Sequence, residues 1–105
     1  MIYQGNKTVA AAGTAVPLKS TRTPAQWISI YPLATNTDQV RIGGIPTLTE
    51  NGGTAAIPSG KGMPLNVGDA GVTWPMGGTN NYDLNTIYVD ANVSGEGVQF
   101  VYGRR

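Results

Sequence analysis

Glycine and proline recur so often along this chain that they restrict it to short structural elements. The 105 residues include 15 glycines and 7 prolines. Proline removes a backbone donor and glycine adds conformational freedom, so both residues interrupt regular helices. The longest helix-compatible stretch, residues 9–12, is stopped by Gly13 within one turn. The sequence therefore predicts no long amphipathic helix.

Short segments with a two-residue alternation of apolar and polar side chains take the place of helices. Residues 26–31 predict a central strand, with Ile28 and Ile30 on one face. The other face of that strand carries Trp27, Ser29 and Tyr31. Residues 40–42 predict a second strand with Val40 and Ile42 directed inward. Further short strands are predicted at residues 8–12, 15–18, 63–67 and 72–74.

The last third of the chain predicts a β-hairpin. Residues 87–91 and 98–102 both alternate with period two, on either side of the glycine-rich turn 94–97. In such a hairpin, Asp90 and Glu96 flank the turn on the solvent side. We therefore expect one all-β domain, residues 1–105, with about seven or eight short strands. It would be an antiparallel β-sandwich, jelly-roll-like or immunoglobulin-like, or a small barrel.

Composition excludes several classes of function. The chain has no cysteine and no histidine, which removes disulfides, thiolate metal sites and the commonest acid–base side chain. Charged residues make up only 12%, and the net charge is +1. A protein that binds nucleic acid needs a basic face to neutralise phosphates, so we expect this chain not to bind nucleic acid. No apolar run reaches the roughly 18 residues of a membrane span, and no signal-peptide pattern is present, so we expect the chain to be made and kept in the cytoplasm until it is assembled.

The carboxylates predict structural roles and no catalysis. Asp38, Asp69 and Asp83 stand in turn contexts, where aspartate binds local backbone amides. Residues 80–85 lack the carboxylate spacing of a calcium loop, and Gly60–Gly62 lacks the spacing of a phosphate loop. We therefore expect no enzyme activity, no cofactor and no metal.

Three segments are candidates for contact with a partner. Residues 45–61 read as a projecting or Ω-like loop. Residues 74–76 combine a rigid ring, a fixed backbone and an adaptable thioether, which favours an interface anchor or, equally, a core tryptophan at a strand end. The last two residues are a solvated end or a contact with an acidic surface. The candidate interface residues are Asn51, Gly52, Gly53, Trp74, Pro75, Met76, Arg104 and Arg105.

Several motifs resemble small structural proteins encoded among the head genes of tailed bacteriophages. Residues 8–18 fit Thr-Val-x-x-x-Gly-Thr-x-Val-x-Leu, and Trp-Ile-Ser-Ile follows at 27–30. Val-Arg-Ile-Gly-Gly at 40–44 follows a turn that contains Asn36. Similar too is the ending, with Asp-Leu-Asn-Thr-Ile-Tyr-Val-Asp-Ala at 83–91, Gly-Glu-Gly-Val at 95–98 and Phe-Val-Tyr at 100–102.

The resemblance implies a virion β-sandwich that binds the outside of an assembled phage capsid. Its partner would be the major capsid protein, and such decoration or cement proteins often sit as trimers on symmetry axes. Fibre-bearing relatives continue beyond the sandwich, whereas this chain stops at Arg105, which favours a compact decoration role. The alternatives are a head-fibre or tail-associated structural protein, and a carbohydrate-binding module displayed on a virion. The carbohydrate module would need three coplanar aromatic rings on one exposed face.

Overall fold

The computed structural model describes residues 2–44, 57, 62–74 and 82–104, and these form an all-β structure with one short 3-10 turn. No helix within these ranges has the length and hydrophobicity to span a membrane. The strands are β1 (Ile2–Thr8), β2 (Val16–Pro17), β3 (Pro24–Ala25), β4 (Trp27–Pro32), β5 (Val40–Gly43), β6 (Met63–Leu65), β7 (Val72–Trp74), β8 (Tyr82–Asp83), β9 (Tyr88–Ala91) and β10 (Gly97–Gly103). The 3-10 turn covers Leu84–Thr86.

Two four-stranded antiparallel sheets enclose one hydrophobic core. Sheet A has the order β1-β10-β4-β7, sheet B has the order β2-β9-β5-β6, and β3 pairs with β8 separately. Both sheets contribute to a single buried cluster, so the predicted antiparallel sandwich is confirmed. That cluster contains Val9, Leu18, Ala25, Ile28, Ile30, Val40, Ile42, Leu65, Leu84, Val89, Ala91, Val98, Phe100 and Tyr102.

The alternating segments fix the inner faces of the two sheets. β4 lies between β10 and β7, and Ile28 and Ile30 are fully buried in it, as predicted. β5 buries Val40 and Ile42, and this prediction is also confirmed. Pro17 lies in β2, at the edge of sheet B, where its missing backbone N–H disturbs no central ladder.

The predicted C-terminal hairpin is wrong. β9 pairs with β2 and β5 in sheet B, whereas β10 pairs with β1 and β4 in sheet A. Residues 92–96 therefore cross from one sheet to the other. Gly95, at a φ of +90°, forms a G1-type bulge with Val9: the Gly95 amide donates to the Val9 carbonyl at 2.7 Å, and the Val9 amide donates to the Glu96 carbonyl at 2.8 Å. This bulge turns the chain onto β1.

The N-terminal strand lies earlier than the sequence predicts. β1 spans Ile2–Thr8, not residues 8–12, and its only partner among the described strands is β10. Edge strands bury little, so β1 carries no apolar alternation to reveal it. The described residues form ten strands in all, including the two-residue β3 and β8 that a periodicity argument cannot detect.

Candidate functional site: buried carboxylates and the outer face of sheet A

Three aspartates bind local backbone amides, as predicted from their turn contexts. Asp38 accepts from the Gln39 amide at 2.7 Å, and Asp69 accepts from the Asn66 amide at 2.7 Å. Asp83 caps the 3-10 turn by accepting from the Asn85 amide at 3.0 Å. These carboxylates satisfy turn amides that would otherwise lack partners.

Asp90 is fully buried, so its predicted place on the solvent side is wrong. Its Oδ1 accepts from the Gly13 amide at 3.0 Å and the Ala91 amide at 2.8 Å, and its Oδ2 accepts from the Ile57 amide at 2.9 Å. The alternation correctly directs Asp90 away from the core. However, residues 13 and 57 cover the outer face of sheet B at that point, and their amides solvate the carboxylate in place of water.

Arg41 completes a polar clamp on the other side of Ile57. It stands directly across from Asp90 in the β5–β9 register and is 5% exposed. Its Nε donates to the Ile57 carbonyl at 2.5 Å. Two charged side chains therefore hold both backbone polar groups of Ile57, and we call Arg41, Asp90 and Ile57 the residue-57 clamp. Ile57 is itself buried, inside the segment that the sequence predicts to be a projecting loop.

Glu96 is also buried, at 8% exposure, and not solvent-facing as predicted. It accepts from the Thr37 hydroxyl at 2.7 Å and from the amides of Thr37 and Asp38 at 2.5 and 3.1 Å. The Thr37 hydroxyl is the main cause that lowers the pKa of Glu96 from its usual value, and the two amides add to it. Burial and the nearby charge of Asp38 oppose this lowering without cancelling it.

Asn36 joins the same turn to the start of β10. Its amide nitrogen donates to the Gly97 carbonyl at 2.8 Å, and its amide oxygen accepts from the Gly97 N–H at 3.1 Å. A Cβ on Gly97 would lie 2.0 Å from the Lys7 carbonyl oxygen, so only glycine fits there. These two hydrogen bonds therefore hold the turn that contains Asn36 against the start of β10.

Every described carboxylate is thus committed to protein amides or hydroxyls. Among the described residues, no group of three or more histidine, cysteine, aspartate or glutamate side chains could hold a metal ion. A glycosidase of the usual kind would need two carboxylates facing each other across a groove. The described part of the chain uses its carboxylates to hold backbone in place.

Two of the predicted interface residues can be located. Trp74 lies in β7 opposite Ile28, is half-buried against the core, and has its ring centroid 6.5 Å from that of Tyr82. Its core packing is therefore observed, whereas its role as an anchor stays a prediction. Arg104 is exposed after β10, and β4 separates that strand from β7. Asn51, Gly52, Gly53, Pro75, Met76 and Arg105 lie outside the described residues.

The outer face of sheet A is a surface that the sequence does not predict. Two cross-strand rows stand side by side on it: Gln4, Val101, Ser29 and Thr73 in one, and Asn6, Gln99 and Tyr31 in the other. A concavity of about 510 Å³ opens there. We call this surface the amide face; the concavity in it is lined by Gln4, Gly5, Asn6, Tyr31, Gln99, Phe100 and Val101.

The amide face is uncharged and carries aromatic rings at one side. Trp27 and Tyr31 both point outward from β4, about 13 Å apart along the strand. A Cβ on Gly103 would lie 2.1 Å from the Trp27 indole nitrogen, and one on Gly71 would lie 2.6 Å from the Tyr31 ring. Each ring therefore lies directly against glycine backbone. Amides that both donate and accept, beside aromatic surface, suit a neutral polar ligand or a protein surface.

Comparisons of this chain with protein-family models, with curated proteins and with solved structures find no match.

Proposed function

We propose that this chain is a structural binding protein that attaches to the surface of a larger assembly through the amide face. The observation that carries this proposal is the contrast between the carboxylates and the exposed amide side chains of the chain. The carboxylates are committed to holding backbone, whereas Gln4, Asn6 and Gln99 are exposed together on an open sheet face. Exposed amides beside Tyr31 offer directional hydrogen bonds and aromatic contact area at a lower desolvation cost than charged side chains would have.

The resemblance to phage head proteins supplies the proposed assembly. In this proposal the partner is the major capsid protein, and the chain acts on the virion surface as a decoration or cement protein. A protein that binds only the assembled lattice stabilises it by mass action, by about 2.7 kcal/mol per site at a concentration one hundred times the Kd. Many copies on one capsid multiply the effect. Trp74 and Arg104 stay candidates for further contacts.

Capsid binding by variants of the amide face tests this proposal. Capsids of the encoding phage, assembled without this protein, would be mixed with purified protein, pelleted and heated. Gln99→Lys places an unpaired charge at the centre of the face and should weaken binding by at least about tenfold. Val67→Lys is the matched control, because Val67 is also exposed but lies in the turn between β6 and β7. Equal retention of both variants, or no retention of the unaltered protein, would contradict the proposal.

The same surface supports a second candidate, binding of a neutral carbohydrate. Tyr31 beside three amides in one concavity is an arrangement that can stack on and hydrogen-bond to a sugar. The described outer face of sheet A carries two aromatic rings, Trp27 and Tyr31, and not the three that a flat platform requires. A glycan array separates the candidates: sugar binding that Tyr31→Ala abolishes favours the carbohydrate module, and capsid binding without sugar binding favours the decoration protein.

A further inference from the structure

β1 is the one long edge strand without a proline among the sheets of the described chain. Natural proteins shield sheet edges with short strands, prolines, bulges or charges. β2 has two residues and contains Pro17, β6 has three and contains Pro64, and β7 has only three. β1 has seven residues and no proline, and two of the exposed large apolar side chains, Ile2 and Tyr3, belong to it.

The direction of the backbone groups in β1 follows from two hydrogen bonds. The Val9 amide donates to the Glu96 carbonyl, and the Leu33 amide donates to the Gly97 carbonyl. Because pairing direction alternates along an antiparallel ladder, Tyr3, Gly5 and Lys7 direct their N–H and C=O groups toward β10. The alternate residues direct theirs to the open edge: Ile2, Gln4, Asn6 and Thr8.

We infer that β1 pairs antiparallel with β1 of a second copy of this chain, about a two-fold axis at Gly5. In this register Ile2 pairs with Thr8 of the partner subunit and Gln4 pairs with Asn6 of the partner subunit. All four outward-facing residues of each copy then exchange backbone hydrogen bonds. The four strands of sheet A continue into the four strands of the same sheet in the second copy.

The side chains of β1 are complementary to themselves in this arrangement. On the amide face, Gln4 stands beside the partner's Asn6, so that two amides can donate to and accept from each other. At the axis, two glycines meet at a non-hydrogen-bonded position, where the backbones approach to about 4.5 Å. A Cβ on Gly5 would already lie 2.8 Å from the Phe100 ring, so glycine is required here within one copy as well.

Charge also permits this pairing. Lys7 is the one charged residue of β1, and in this register it stands opposite the partner's Tyr3. The two lysines lie about 13 Å from each other along the paired strands, beyond the screening length at physiological salt. Ile2, at 69% exposure, gains a β-branched neighbour in the partner's Thr8. A second copy therefore meets matching groups at each position of the edge.

A charge-reversal set tests both the pairing and its register by sedimentation velocity over a wide concentration range. The unaltered chain should show a concentration-dependent dimer. The double variants Gln4→Lys with Asn6→Lys, and Gln4→Glu with Asn6→Glu, place like charges opposite each other twice and should raise the dimer Kd by roughly tenfold. Gln4→Lys with Asn6→Glu changes the same two residues but places opposite charges together. It should dimerise at least as well as the unaltered chain.

Mixing the all-Lys and all-Glu variants should restore a dimer, and circular dichroism with thermal melting should show all variants folded, because both side chains are exposed. Asn6→Pro removes an outward-facing donor from an edge strand and should abolish the dimer without unfolding the protein. A chain that is monomeric at every concentration, a trimer, or equal dimerisation by all charge variants overturns the inference. Capsid binding is measured in a separate experiment, so the β1 dimer and the proposed function can each be refuted without the other.

Discussion

Replacing Asp90 by asparagine tests whether the residue-57 clamp holds the fold together. The change keeps the shape of the side chain but converts one acceptor oxygen into a donor nitrogen. Suppose that the asparagine side-chain oxygen keeps the hydrogen bonds from the Gly13 and Ala91 amides. The asparagine NH₂ group then takes the place of the Asp90 Oδ2 atom, which lies 2.9 Å from the Ile57 amide nitrogen, and faces the Ile57 N–H. A charge-assisted bond is lost and two buried donors are left facing each other.

The expected loss of stability is large for so small a domain. A hydrogen bond to a charged group contributes about 1.5–3 kcal/mol, and an unsatisfied buried donor costs about 1–3 kcal/mol. We therefore expect Asp90→Asn to lower the free energy of unfolding by about 3 kcal/mol, out of roughly 5–15 kcal/mol for a typical domain. For about 100 residues this corresponds to a fall in Tm of roughly 12–24 °C.

Urea unfolding followed by tryptophan fluorescence measures this loss, and Asp69→Asn is the matched control. Asp69 is exposed and accepts one turn amide, so its substitution should change the free energy of unfolding by no more than about 0.5 kcal/mol. Amide hydrogen exchange adds a local measurement, since the Ile57 N–H should lose protection in Asp90→Asn. Equal effects of the two substitutions would show that the buried carboxylate does not stabilise the fold.

Three further predictions concern the turn that contains Asn36 and the start of β10. The lowered pKa of Glu96 means that its contribution is complete above the ordinary carboxylate value of 4.5 and is lost as the pH falls through the lower folded value. Unfolding free energies measured from neutral to acidic pH should therefore depend less on pH in Glu96→Gln. Asn36→Ala leaves the buried Gly97 N–H without its partner, while the Gly97 carbonyl keeps the Leu33 amide, and should cost about 1–3 kcal/mol in chemical denaturation, against no change if water replaces the side chain. Gly97→Ala should cost about 3 kcal/mol or more, because its Cβ would overlap the Lys7 carbonyl; a normal melting temperature would refute that contact.

The sequence predicts which residues face the core better than it predicts which strands pair with each other. Alternation locates β4 and β5 because each has one face in the core, and that signal is local. Which strand lies beside which is decided by contacts between distant residues. β9 and β10 alternate like the two arms of a hairpin, yet the bulge at Gly95 directs them into different sheets.

The residue-57 clamp has a signal in the sequence, although the predicted hairpin places Asp90 in solvent. Arg41 and Asp90 each stand between two apolar residues in the middle of a predicted strand. Aspartate is uncommon in strands, and a charge there is either solvated or paired. The backbone amides that cover Asp90 come from residues 13 and 57, which lie far from it along the chain. The amide face gave no such signal, since polar residues on an outer face are ordinary.

The position of β10 between β1 and β4 means that sheet A cannot form until β10 is present. Ile2 pairs with Gly103, so β1 has no partner among the described strands until β10 is in place. During that interval its edges are open on both sides to other copies of the chain. We expect slow folding and a refolding yield that falls as the protein concentration rises.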